Sequence, residues 1–380
     1  MDCDANASLG PLPLADGFQV LPWCELAVEK SHGLWLSLAD TVSLPNPFFE
    51  PWFLISALEA LDGDRTVQIA VLVESGTIKG LMPLHRATQH HARRLPNLAT
   101  WTHHNSFCGS PLIAHGSEEP FWAALLDWCD ANAGDALFLH LPQQVADASA
   151  TTSLRDTCRR ARRPIRKVLG LSRALIQSQL SPDDYFAAAI STKHRKELRR
   201  QRKRLDEQGK VEFVRSRGTD DIEGWIDAFL ELEARGWKGQ GGSALSSLDP
   251  TETLFRTALV QAASLGKLER FSMTLDGNPI AMLATFLTGA GAYSFKTAFD
   301  EYYARYSPGM QLQIENLALL ADPAIEWCDS CAAQDHAMID RIWRERRQIE
   351  WLSIPIGNGP RRLAGNLWTA IEALRWRHRK

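Results

Sequence analysis

LERFSMTLDGNPIAMLATFLTGAGAYSFKTAFDEYYARYSPGMQLQIENLALL, residues 268–320, decides the fold of this chain. Glu269 to Leu275 alternates polar and apolar residues, Asp276-Gly277-Asn278-Pro279 is dense in turn formers, and Ile280 to Leu287 resumes an apolar run, so a β-hairpin is predicted. After Thr288-Gly289-Ala290-Gly291, a third strand is predicted over Ala292 to Phe299. Ser307-Pro308-Gly309-Met310 then opens a helix. Serine can accept from the free N–H groups of a first turn, proline is preset for the first helical position, and glycine lets a ligand approach the backbone. Leu312, Ile314, Leu317, Leu319 and Leu320 can face the sheet, while the first turn, Ser307 to Gln311, offers its amides and dipole to a phosphate.

Composition sets the frame around this stretch. A chain of 380 residues, 45% hydrophobic and 23% charged, can bury a large core and is long enough for two domains. A net charge of -3 argues against a dedicated nucleic-acid binder but allows local basic faces. The seven cysteines, odd in number and irregularly spaced, read as reduced buried thiols. Cys328-Asp329-Ser330-Cys331 lacks the strand and helix context of a redox motif, and no redox role is assigned. No metal site is predicted: His103-His104 and His90-His91 offer no standard zinc spacing, and the His103 to Leu112 segment reads as a loop with local hydrogen bonds. Neither a leader-like N-terminus nor an apolar run of spanning length is visible, so a cytoplasmic protein is expected.

Outward from the central stretch, Asn46-Pro47 caps an aromatic helix, Thr66 to Val73 and Ile78 to Leu84 form a hairpin, and Ala136 to Leu141 is a strand. Residues 145–180, rich in Ser, Thr and Arg, read as a basic linker between domains at 16–144 and 181–380. Lys193 to Leu205 is a basic helix carrying Arg199, for which an anionic partner is expected because clustered cations repel. Asp220 to Ala234 is amphipathic and runs into Arg235-Gly236-Trp237-Lys238-Gly239-Gln240-Gly241-Gly242, a glycine-rich loop able to lay an aromatic face and a cation on a substrate. The terminal helix turns Leu363, Leu367, Trp368, Ile371 and Leu374 to one side.

The order strand, hairpin, strand, Lys296 to Tyr303, Ser-Pro-Gly and helix, together with Trp237-Lys238-Gly239, resembles the GNAT acyltransferases. Within them it resembles the bacterial CelD-like group related to the FemABX peptidyltransferases, with Asp335 to Arg347 similar to the family's closing helix and Ile349 to Ile354 to its last strand. The resemblance implies an α/β (α+β) chain of tandem GNAT-like domains, each a mixed, largely antiparallel sheet flanked by helices. It implies transfer of an acyl group from acetyl-CoA or another acyl-CoA to an amine, with CoA phosphates at Ser307, Pro308, Gly309, Met310 and Gln311; of the family's glycine loop only Gly309 remains. Trp237, Lys238 and Arg199 are then candidate substrate contacts. Asp300, Glu301 or His336 would take the amine proton, one of the clustered Tyr293, Tyr302, Tyr303 and Tyr306, with Tyr303 the choice, would protonate the thiolate, and Lys296 either meets substrate or pairs with the acids. The expected partners are a small or lipid-linked amine and an anionic membrane surface at the inner face, ahead of tRNA. An aminoacyl-tRNA donor and a non-catalytic binding module are the alternatives.

Overall fold

The computed structural model describes residues 14–27 and 29–377. In chain order the helices are α1 (Trp23–Leu26), α2 (Glu29–Ala39), α3 (Pro51–Leu61), α4 (Glu118–Ala131), α5 (Ser149–Arg160), α6 (Pro182–Ala189), α7 (Thr192–Asp206), α8 (Ile222–Arg235), α9 (Trp237–Gln240), α10 (Asp249–Ser264), α11 (Pro308–Asn316), α12 (Ile339–Ile342) and α13 (Gly359–Arg377). The strands are β1 (Gly17–Pro22), β2 (Gln68–Glu74), β3 (Thr77–His90), β4 (Arg93–Thr100), β5 (Leu112–Ile113), β6 (Phe138–Val145), β7 (Arg166–Ile176), β8 (Val211–Ser216), β9 (Leu268–Leu275), β10 (Asn278–Thr288), β11 (Gly291–Phe299), β12 (Trp327–Asp329) and β13 (Glu345–Pro355). Among the described residues no helix is long and apolar enough to cross a membrane.

The chain forms two compact units, Met1–Leu171 with Gln348–Lys380, and Ser172–Arg347. In the first unit β1, β2, β3 and β4 are consecutive antiparallel neighbours, β6 lies parallel to β4, and β13 runs antiparallel to β6. The second unit repeats that order. Its β8, β9, β10 and β11 are antiparallel, β12 lies parallel to β11, and β7 runs antiparallel to β12.

The sixth strand of the first unit is the late β13, which corrects the expected boundaries at 144 and 181. Residues 145–180 are not a linker: they hold the end of β6, α5 and β7. Their Ser, Thr and Arg content belongs to an amphipathic helix that buries Ala150, Thr151, Leu154, Thr157 and Cys158. Its outward arginines pair with acids, Arg155 with Glu350 and Arg160 with Glu119. Residues 348–380 join the first unit because Ile349, Leu352 and Ile354 register against Val145, Leu141 and Leu139 of β6.

In the second unit, one face of the sheet packs on α8 and α10 through the rings of Phe229, Phe255, Phe295 and Phe286, spaced 4.4 to 6.3 Å in successive pairs. The other face packs on α7 and α11, burying Leu205, Phe271, Leu283, Tyr306 and Leu312. Strands β9 to β11 match the sequence reading closely, because period-two apolar patterning and glycine turns act locally.

Two expectations fail. The helix predicted over Asp335 to Arg347 shrinks to α12, since buried Asp329 accepts from Arg173 at 3.5 Å and from Arg347 at 3.2 Å, and Arg347 lies in the extended β13. In α13 the leucines face outward, with Leu363 and Leu367 66–69% exposed. The buried stripe is instead Gly365, Thr369 and Glu372. A Cβ at Gly365 would sit 2.1 Å from the Leu137 carbonyl oxygen, so this helix approaches β6 too closely for a leucine face.

Candidate active site

Strand β11 parts company with its neighbour early. It pairs with β12 only over Gly291, Ala292 and Tyr293, yet continues to Phe299, leaving a wedge beside Ser294 to Phe299. Glycine is needed at the start, because a Cβ at Gly291 would meet the Trp327 ring at 2.2 Å. On the other side of β11 the register against β10 slips between Ala284↔Lys296 and Thr285↔Ser294, so Phe295 is an extra residue. Such a bulge re-aims side chains and is common next to active sites. Here Phe295 stacks on Phe286 at 4.4 Å, and the Lys296 ammonium lies 5.4 Å over the Phe295 ring.

The last turn of α8 brings a carboxylate to this place. Glu233 is buried, accepts from Lys238 Nζ at 2.6 Å through one oxygen, and accepts from the Leu245 amide at 2.8 Å through the other. Lys238 Nζ also donates to the Thr297 carbonyl at 3.4 Å. The predicted glycine-rich loop is therefore partly a helical turn, α9, that folds its lysine back onto α8. Burial first, then the Lys238 ammonium, pull Lys296 down to about 8, while Glu233 and Cys331 work the other way. A lysine so placed is partly neutral near physiological pH and can accept a proton. Glu233, Gly236, Lys238, Thr297, Phe299 and Glu301 line a cleft of about 20 Å³, room for about one water.

At the end of β11 the chain turns into α11. Ser307 does not cap it as expected: its backbone is left-handed (φ 54°, ψ 52°) and its hydroxyl makes no capping bond. Helix geometry leaves the first N–H groups without intrahelical partners, so an anion can still take them. The side chains of Pro308, Met310 and Gln311 are buried in packing, and Gln311 donates to the Leu198 carbonyl of α7 at 2.9 Å. A Cβ at Gly309 would meet Met338 Sδ at 3.0 Å and the Phe299 ring at 3.2 Å, so Gly309 seats these side chains rather than facing open space. Beside this turn Arg204, Glu207, Gln208, Arg305 and Tyr306 line a cavity of about 280 Å³.

Residues 192–337 match the acetyltransferase (GNAT) domain. The fold agrees with that. A crystal structure of FemX superposes with a TM-score of 0.56 at 10% identity, covering 90% of this chain and 98% of that one. The C-terminal domain of a candidate lysylphosphatidylglycerol synthetase from Agrobacterium fabrum gives 0.53 at 13% identity, covering 89% and 95%. A conserved protein of unknown function from Bacteroides thetaiotaomicron gives 0.53 at 12% identity, covering 85% and 97%. At these identities the likeness speaks to the fold alone, which is tandem GNAT-like and α/β, each sheet mixed, largely antiparallel and flanked by helices. No curated protein sequence matches the chain.

Within the matched region the predicted residues do not all converge. Lys238 and Glu301 line the small cleft, and Lys296 lies near enough to Lys238 and Glu233 to feel their charges. Asp300 caps the turn that follows β11, accepting from the Tyr302 amide at 2.9 Å. Tyr303 packs on the α7 and α11 core, its ring 5.1 Å from that of Tyr302. His336 is exposed, accepts from the Ile339 amide at 3.3 Å at the start of α12, and does not line the cleft. Arg199 is exposed on α7. The Trp237 side chain lies outside the described residues. Cys328 and Cys331 are buried, and burial followed by Asp329 raises both thiols far above their usual range, the reverse of a reactive pair.

Sequence reasoning missed Glu233 and Met338. Glu233 looked like one more polar residue on an amphipathic helix. Its signal was register: it stands between inward Leu232 and the helix end at Gly236, near enough to the buried face to be dragged in.

Proposed function

We propose that the second unit transfers an acyl group, acetyl or longer, from acyl-CoA to an amine by direct attack, in the manner of the CelD-like enzymes it resembles. Lys296 carries this reading: a lysine drawn down to about 8, beside a strand bulge and a wedge between parallel strands, inside the GNAT match. Neutral Lys296 takes the proton from the acceptor nitrogen as the N–C bond forms. The C–S bond then breaks, and the departing thiolate gains a proton, so protons balance between amine and thiol. Tyr303 remains the proposed donor to that thiolate. Glu233 and Lys238 hold the acceptor side of the cleft.

The residues at the α11 start suit the anionic end of such a donor. The first turn carries no side-chain cap, and Arg204 and Arg305 flank the adjacent cavity. CoA supplies the activated thioester and the phosphates. The exposed cations of α7, among them Lys193, Lys196, Arg199 and Lys203, suit an anionic membrane surface on the cytoplasmic side, where a lipid-linked amine would be delivered.

Those same cations favour a second reading, an aminoacyl-tRNA donor. A thermal-shift and turnover panel with CoA, acetyl-CoA, long-chain acyl-CoA and tRNA separates the two. Stabilisation by acyl-CoA with amine-dependent thiol release supports the first reading. Salt-sensitive tRNA binding without acyl-CoA binding supports the second. Acyl-CoA binding with no thiol release toward any amine reduces the unit to a binding module.

A further inference from the structure

The first unit gathers His90, His91 and Glu372 so that their ligand atoms lie within 4.8 Å of one another. Neighbours along a strand normally point to opposite faces. Here β3 ends at His90, and left-handed backbone at His91 (φ 47°) and Ala92 (φ 58°) turns the chain back into β4. The turn swings one imidazole round to the other, leaving the ring centroids 4.2 Å apart. Both Nε2 atoms then address a single oxygen, Glu372 Oε1, at 2.7 Å from His90 and 3.0 Å from His91.

Glu372 is delivered by the buried stripe of α13, whose close approach at Gly365 was described above. It is only 7% exposed, and its other oxygen, Oε2, is buried with no hydrogen-bond partner. A buried carboxylate with one oxygen shared and the other idle is an under-compensated anion. A cation between the three side chains would satisfy both oxygens.

We propose that this cluster is a binding site for a divalent transition-metal ion of the zinc class, held by His90 Nε2, His91 Nε2 and the Glu372 carboxylate. Two imidazoles and a carboxylate are a donor set that zinc takes in tetrahedral geometry, and bonds of about 2.0–2.2 Å place ligand atoms roughly 3.3 Å apart. The observed separations from Glu372 need only a small adjustment to meet that. Imidazole donors select against calcium and magnesium, which take oxygen. His91 is 66% exposed at its side chain, so the ion enters from that side and keeps one solvent position. His140 of β6 packs its ring 4.7 Å from His90 and anchors Nδ1 on Ser353 Oγ at 3.0 Å, which steadies the His90 ring. The ion would fasten α13 to the β3–β4 hairpin of its own unit.

The test uses the full chain, stripped with chelator and titrated with Zn²⁺ against a chromophoric competitor, with Co²⁺ as a spectroscopic stand-in. One Zn²⁺ per chain is expected, with a rise in melting temperature that grows with metal concentration and a four-coordinate Co²⁺ absorption. Glu372→Gln and His91→Ala should each weaken binding at least tenfold, and Mg²⁺ or Ca²⁺ should not compete. His91 is mostly exposed, so its variant folds even if Glu372→Gln does not. Absence of stoichiometric Zn²⁺ binding, or unchanged affinity in His91→Ala, overturns the proposal.

Discussion

Replacing Lys296 with methionine should stabilise the second unit and abolish acyl transfer together. Lys296 falls from 10.5 to about 8 in the folded chain, chiefly through burial. At about 1.4 kcal/mol per pH unit, holding it charged costs at most about 3 kcal/mol. The sign follows from proton counting: between about 8 and 10.5 the unfolded chain binds more protons than the folded one, so stability rises with pH across that window. Below about 8 the whole penalty is present. Methionine fills similar space without charge, and since the fall to about 8 already includes the attraction of Glu233, a gain of up to about 3 kcal/mol is expected at neutral pH, shrinking to nothing above roughly pH 10.5. That corresponds to several degrees in melting temperature for a unit of this size. Turnover should fall by about 10²–10⁴, the usual worth of a general base. In the unaltered protein, kcat/KM should rise through about pH 8 as Lys296 loses its proton. Denaturant melts at pH 7 and pH 10, beside thiol-release kinetics, provide the readout. A variant that is less stable at pH 7, with turnover unchanged, would show Lys296 to be a structural ion-pair member and refute the reasoning.

Glu233→Gln removes the attraction that raises Lys296 and leaves the Lys238 ammonium unpaired, so the midpoint of the pH–rate profile should move below 8; breaking this buried pair should also cost about 3 kcal/mol, read by denaturant melts. Asp329→Asn should destabilise the second unit by about 3–5 kcal/mol, because Arg173 and Arg347 would be left buried with their shared acid gone. Arg204→Ala with Arg305→Ala should weaken acyl-CoA binding roughly tenfold and flatten its salt dependence, measured by calorimetry across a salt series; equal affinity would move the phosphates elsewhere.

The sequence alone determined what short-range physics controls. Period-two patterning and the Asp276 to Pro279 turn placed β9, β10 and β11 nearly to the residue, and Pro308 placed the start of α11. Lys296 was visible as a candidate because it opens the Lys296 to Tyr303 segment that carries the GNAT resemblance. Its depressed pKa was not visible, since that depends on Lys238 arriving 58 positions away and on a bulge that no local pattern marks. The inward face of α13 was misread for a related reason: amphipathic pattern says which side is apolar, but the close approach at Gly365 put Thr369 and Glu372 inside and the leucines out. His90 and His91 carried no zinc spacing, because their third partner lies 281 residues or more along the chain and is positioned by packing of a terminal helix. Local pattern sets which elements form. Only the folding of distant elements onto one another decides which charges share a buried space, because burial and proximity are properties of the packed chain rather than of any segment of it.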